Sequence, residues 1–443
     1  MKRKKLTVCL LGAAIVSSLF TAGCGQKTKD PVTVSVWTYY NGDQLEAFND
    51  LVDKFNDTTG KKKGITVESQ SLGTVEELEK SVLAAANGEV GAEDVPNIFS
   101  AYADTANTMN QKDMIVNLSD YLTDKEKDAY VEEYLREGDF SDDGSIRIFP
   151  TAKSTELLFL NDTDWQKFAE ATGAAYRDLE TIEGLVAAAE KYYEWTDSQT
   201  PEENDGRALF GRDAMANYML VGAEELGCNI FDVKDGKMTL NFDEDVIRKL
   251  WDNYYVPFVK GYFAASGRFR SDDIKTGNVI SYVGSTSSAT FFPTVVSVDD
   301  DQTYNIDLKV LPCPQFKDSE DWAVQQGAGM VVTKASEEEI RASVEFLKWF
   351  TEAENNITFS VESGYLPVTK EANNMDKIKS VDPDLDDSMS EILTEAVAQV
   401  NNSTLYSMKV FPDGNSARSI LETSMSDMAA ADRETVLERI SQG

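Results

Sequence analysis

Only one apolar run in this 443-residue chain is long enough to matter outside a water-soluble core, and it stands at the very start. Met1-Lys2-Arg3-Lys4-Lys5 is a basic head, Leu6 to Phe20 carries no charge, and Thr21-Ala22-Gly23-Cys24 closes the stretch with small side chains and a thiol. That order is an export signal, and the run is shorter than the ~20 residues an ordinary spanning helix needs. After Cys24 no segment approaches twenty uninterrupted apolar residues. The rest of the chain must therefore bury its apolar side chains in cores of its own, in water, outside the cytoplasm.

A common leader peptidase needs only small residues at its cut, whereas lipoprotein processing needs a cysteine that takes a diacylglycerol and becomes residue one. Ala22-Gly23-Cys24 resembles a bacterial lipobox, with Thr21 where that motif usually has leucine. The expectation is a signal peptide over residues 1–23, lipidation at Cys24 and a tether over 24–30 that ends in Lys27-Thr28-Lys29-Asp30. The body is then soluble and held to the extracytoplasmic face of the cell membrane only through its lipid. The alternative is an ordinary cleaved signal with an incidental cysteine.

Length favours two domains over one core. With 77 acidic against 42 basic residues the formal charge is -35, which disfavours nucleic acid or an anionic membrane surface as a partner. There is no histidine, so Ser-His-Asp catalysis, histidine metal sites and histidine general bases are excluded, and no metal or cofactor is expected. Cys9 and Cys24 lie in the leader, leaving Cys228 and Cys313 either to pair in an oxidising exterior or to stay buried as small apolar residues.

Val32-Thr33-Val34-Ser35-Val36-Trp37 alternates β-branched and polar residues and reads as a first strand. Leu45, Phe48, Leu51, Val52 and Phe55 then recur at helical spacing until Thr59-Gly60. A strand from Ile65, a helix marked by Leu78, Val82, Leu83 and Ala86, and a strand through Ile98-Phe99-Ser100 follow. Such alternation argues for an α/β layer with its loops gathered at one edge. Further on, Leu185 and Val186 mark a helix, and Val246, Ile247, Leu250 and Trp251 another. Val279 to Val283 and Asp307 to Pro312 read as strands, Thr196 to Arg207 as an exposed loop, and Ser416 to Ile440 as an amphipathic helix.

The order of a lipobox, a strand ending in Trp37, a helix closing on Lys54-Phe55-Asn56, Val95-Pro96-Asn97-Ile98 and Leu118-Ser119-Asp120-Tyr121-Leu122 resembles an extracellular solute-binding protein of bacterial ABC transporters. The resemblance is to the sugar-binding family (family 1), in its lipoprotein form. Pro150 to Thr155, leading into Leu157 to Asn161, is similar to that family's first crossing between lobes, and Glu362 to Val368 to its last. It implies a two-lobed periplasmic-binding-protein-like α/β fold (class II) with three crossings, near Ser154, Cys313 and Tyr365. Residues 31–152 with 314–364 would form one lobe, and 153–313 with 368–443 the other.

The resemblance further implies a monomer that captures a mono- or oligosaccharide and delivers it to a membrane permease, with no chemistry on the solute. Aromatic faces suit the apolar faces of sugar rings, and hydrogen-bonding groups suit their hydroxyls. Family positions carried onto this chain give Trp37, Tyr39, Tyr40, Ser154, Thr155, Ser285, Ser287, Gly327 and Tyr365. Arg418, in Asp413-Gly414-Asn415-Ser416-Ala417-Arg418, resembles the position where glycerol-phosphate binders place an arginine on the phosphate, a role that suits a planar bidentate donor. Other positions depart from that subgroup, with Thr74 in place of a tyrosine and Ala103 in place of an acid, so a sugar stands first and glycerol 3-phosphate or a glycerophosphodiester second. Pairing of Arg418 with a carboxylate stays open, as does a weaker ligand role for Arg212. A surface glycosidase with two carboxylates is a remote alternative, and a purely structural surface lipoprotein another.

Overall fold

The computed structural model describes residues 31–234, 236–298 and 303–442, so the leader and Cys24 lie outside the described residues. Two four-stranded sheets organise them. In the first the order is Gly329–Val332, Ile98–Ala101, Val32–Thr38, Ile65–Ser71. The central Val32–Thr38 strand is parallel to both neighbours, and Gly329–Val332 joins antiparallel at the edge.

Two apolar layers cover this sheet. On one face the Gly42–Phe55 helix buries Phe48, Leu51, Val52 and Phe55, as its spacing predicts, against aromatic rings of the Glu337–Phe350 and Ala353–Ser363 helices. On the other, Leu78 and Val82 of the Val75–Asn87 helix pack with Trp37, Phe99 and Val331. Thr74 starts that helix with a capping box, its hydroxyl accepting from Glu77 N at 3.1 Å. The first helix does not stop at Thr59-Gly60 as expected. It continues through a widened turn to Lys63 and ends at Gly64, whose φ of 71° is open to glycine at little cost.

The second sheet runs Leu308–Pro312, Glu156–Asn161, Ser281–Ser285, Phe210–Arg212. Glu156–Asn161 is buried along its whole length and antiparallel to both neighbours. Leu157 and Phe159 face one apolar cluster while Leu158 and Leu160 face the other, the two-residue period of a strand covered on both sides. The Met215–Glu225 helix and the C-terminal Gly414–Ser441 helix pack against each other in this lobe. The latter buries only Gly414, Met425 and Ala429, leaving Ile420, Met428 and Leu437 exposed, a narrower apolar stripe than an amphipathic helix implies.

The crossings between lobes are laced side by side. Phe149 exchanges backbone hydrogen bonds with Met330 at 2.7 and 2.8 Å, Ser154 with Gln326 at 3.0 and 2.9 Å, and Lys153 N donates to Leu366 O at 3.1 Å. Gly327 sits in this bundle with φ 89°, and a Cβ there would lie 2.8 Å from Ala152 O, so only glycine lets the crossings approach.

Two expected lobe boundaries shift. Phe316 belongs to the second lobe's core and its N–H donates to Glu225, and Trp322–Val324 pairs with Thr404–Tyr406, so the second crossing comes at Gln326 rather than at Cys313. Likewise Val368 and Lys370 exchange backbone bonds with Val131 and Ala129, so the segment from 368 stays with the first lobe until the Asp387–Asn402 helix packs on the second sheet. Cys228 and Cys313 are free thiols, which removes the disulfide reading.

Candidate functional site

The loops at the ends of the first sheet's strands face the second lobe across a cleft of about 510 Å³. From the first lobe come Val75 and Glu79 at the start of one helix, Tyr102 and Asp104 at the start of the next, and Glu137. The second lobe supplies Asn217, Ser285, Ser287, Tyr406 and Arg418. Ser154, Gln325, Gln326 and Gly327 of the crossings, together with Tyr365, complete the wall. A second space of about 730 Å³ continues from it, sharing Glu137, Tyr406, Ser407 and Met408 and bounded by Phe140 and Trp322. Lys409 of the second lobe reaches across this outer part to both carboxylate oxygens of Asp142, at 3.0 and 3.1 Å.

Six of the ten expected positions therefore meet in one place: Ser154, Ser285, Ser287, Gly327, Tyr365 and Arg418. Ser285 Oγ and Ser287 Oγ lie 3.0 Å apart where the chain leaves a strand. Tyr39 stands just behind, its hydroxyl 3.3 Å from that of Tyr365 and its ring stacked 6.5 Å from that of Tyr102. Burial raises the pKa of the Tyr39, Tyr102 and Tyr365 hydroxyls, which stay neutral and able both to donate and to accept.

Three expectations are corrected. Trp37 is 5% exposed and packs among Leu78, Val82 and Phe99, because its strand position points it under the Val75–Asn87 helix. Tyr40 is 1% exposed and wedged between Phe48 and Phe359, a floor for Tyr365 rather than a wall of the cleft. Thr155 is fully buried, its hydroxyl accepting from Gln399 Nε2 at 3.1 Å. Arg212 is also inside, 2.7 Å from the Glu156 carboxylate, and does not line the cleft.

Sequence reasoning missed the amide pair Gln325-Gln326. Gln325 is 7% exposed, lines the cleft, and neither Oε1 nor Nε2 has a protein partner; Gln326 Oε1 is unpartnered as well. Two adjacent amides between Val324 and Gly327, in an otherwise apolar run, were the available signal. Buried polar groups are ordinarily satisfied, so orphaned amides at a cleft mark a surface built for a polar guest. Asp104 and Glu79 add acceptors, and burial, reinforced by Glu79, raises the Asp104 pKa.

The family model for bacterial extracellular solute-binding proteins matches residues 50–385. The chain belongs to that family. This solute-binding protein shares its two-lobed fold with solved structures that it covers almost end to end. The cyclic α-maltosyl-1,6-maltose binding protein of Arthrobacter globiformis is 17% identical, with a TM-score of 0.69 over 93% of this chain and 100% of that one. UgpB of Mycobacterium tuberculosis, in complex with glycerophosphocholine, is 21% identical, with a TM-score of 0.68 over 92% and 97%. The GacH receptor of Streptomyces glaucescens, solved unliganded and with acarbose, is 16% identical, with a TM-score of 0.65 over 93% and 98%. No curated protein sequence matches the chain. The family and these structures are substrate-binding proteins, not enzymes, which removes the glycosidase reading. The family is extracellular, and among the described residues no helix is long and apolar enough to cross a membrane.

Proposed function

We propose that this solute-binding protein captures a carbohydrate, mono- or oligosaccharide, and hands it to a membrane permease while anchored through lipidated Cys24. The observation that carries the sugar reading is the meeting of tyrosine faces with unpartnered hydrogen-bonding side chains, Gln325 above all, in one interlobe cleft. Ring faces stack on sugar rings, and amides, serines and carboxylates take the hydroxyls. The outer space of about 730 Å³ gives room for further units. Closure of the lobes by hinge bending at the crossings would complete contacts from both sides, so ligand favours the closed form.

A thermal-shift screen over mono- and oligosaccharides and glycerol phosphates tests the reading, because a ligand of the folded form raises the melting temperature. Saturable shifts with sugars support it; shifts confined to the phosphates sink it. That second outcome is the one Arg418 favours. Its guanidinium contacts Asn217 Oδ1 at 2.6 Å, and among the described residues no carboxylate pairs with it. The structural likeness to a protein holding glycerophosphocholine supports the same alternative, a glycerol 3-phosphate or glycerophosphodiester ligand. The anchor has its own test: in cells given labelled palmitate the wild-type protein is expected to take up label and Cys24→Ser is not, and a wild-type protein without label would refute it.

A further inference from the structure

Arg418 does not reach the cleft unaided. Four residues further along the same helix, the Glu422 carboxylate accepts from Met215 N at 3.0 Å and Ala216 N at 2.9 Å, clamping the C-terminal helix to the open first turn of the Met215–Glu225 helix. The next residue of that turn is Asn217, 1% exposed. Its Oδ1 accepts from Arg418 Nη2 at 2.6 Å, and its Nδ2 donates to Glu156 Oε1 at 2.6 Å. The other Glu156 oxygen accepts from Arg212 Nη2 at 2.7 Å. Glu156 is 3% and Arg212 8% exposed.

The polarity of this chain of bonds is fixed from both ends. An ionised carboxylate only accepts, and a guanidinium only donates. The residue between them must donate on one side and accept on the other, which asparagine does and aspartate or leucine cannot. We propose that Glu156 is a positioning residue for the cleft: it locks the Asn217 amide in one orientation, so that its oxygen holds the Arg418 guanidinium out toward the ligand. The inference rests on the reading of Arg418 as a ligand contact. Long side chains lose conformational freedom when fixed, and an anchor that settles the arginine beforehand spares the ligand that loss. Among the described residues Asn217 is its one hydrogen-bond partner, and an arginine has five N–H donors to give.

Glu156→Gln makes the polarity testable. Its oxygen stays on the Arg212 guanidinium, so its NH2 faces Asn217, whose amide turns over and presents an NH2 to Arg418. Donor then meets donor, and the arginine is released. The probe is phenylglyoxal, which modifies accessible arginines, with peptide mass spectrometry reading each site and exposed Arg207 and Arg268 as internal controls. In the ligand-free protein, Glu156→Gln and Asn217→Ala are expected to speed modification of Arg418 by about tenfold or more, the loss of one charge-assisted hydrogen bond, with both controls unchanged. A rate at Arg418 unchanged in both variants overturns the proposal. If Glu156→Gln fails to fold, Asn217→Ala, which keeps the Arg212–Glu156 pair, decides alone. The reading it rests on falls separately, if Arg418→Ala leaves the titration curve of every ligand found in the thermal-shift screen unchanged.

Discussion

Replacing Gln325 by leucine is expected to make the empty protein more stable and its ligand complex weaker. The backbone of Gln325 is held by its N–H bond to Tyr406 O at 2.8 Å, beside the pairing of Trp322–Val324 with Thr404–Tyr406, so the substitution changes the side chain and not its setting. The side chain is 7% exposed, and both polar atoms lack a protein partner. An unsatisfied buried polar group costs about 1–3 kcal/mol, a cost that leucine of similar size removes. The ligand-free Gln325→Leu protein should therefore gain about 1–3 kcal/mol in urea unfolding, read by tryptophan fluorescence and far-UV circular dichroism, with the m-value unchanged. In the complex the same amide would meet a hydroxyl on each side. Two lost hydrogen bonds at about 0.5–1.5 kcal/mol each predict an affinity lower by roughly 5- to 150-fold in calorimetric titration. A variant that is less stable than wild type and binds as tightly would show that the amide has partners inside the protein, and the argument from orphaned groups would fail.

Lys153 is fully buried among the crossings, its ammonium on the Glu137 carboxylate and 2.7 Å from Gly327 O. Lys153→Met should cost about 3–5 kcal/mol in the same urea assay, and Lys153→Met with Glu137→Gln should recover most of it; a loss under about 1 kcal/mol would contradict the assignment. Burial raises the Glu225 carboxyl to about 7. The folded state then holds a proton that the unfolded state releases above its ordinary carboxyl pKa, so stability falls between about pH 4.5 and 7, by up to about 1.4 kcal/mol per pH unit. Glu225→Gln should gain on wild type across that window, and melting curves that stay parallel from pH 5 to 8 would refute it. Tyr365→Phe keeps the ring on Phe359 and loses only the hydroxyl, so affinity should fall about 2- to 10-fold with melting temperature nearly unchanged, whereas Tyr365→Ala would also open the core.

The layers of the fold were legible because they are local patterns. Val32 to Trp37 alternates, Phe48 to Phe55 recurs at helical spacing, and both elements form where expected. Ser285 and Ser287 came from the resemblance instead, and the chain there leaves its strand into a tight turn over Thr286–Phe291 with Thr286 and Ala289 buried. Direction was harder. Tyr39 and Tyr40 are neighbours that diverge, one toward the cleft and one into the core, and only the Gly42–Phe55 and Ala353–Ser363 helices decide which is which. Composition cannot single out Glu79, Asp104 and Glu137 among 77 acidic residues. The Glu156–Asn217–Arg418 relay joins residues 61 and 201 positions apart, a relation no local period records.

The first sheet is finished late. Its edge strand carries Met330 to lie opposite Ser100, a partner made 230 residues earlier, after the chain has visited the other lobe. Until then the Ile98–Ala101 strand has a bare flank, the kind of backbone template onto which foreign strands add. The first sheet is not built from one continuous stretch of chain, and its edge stays open until residue 332. The first sheet therefore includes one long-range pairing whose loop-closure entropy is met only after the second sheet's strands have been made.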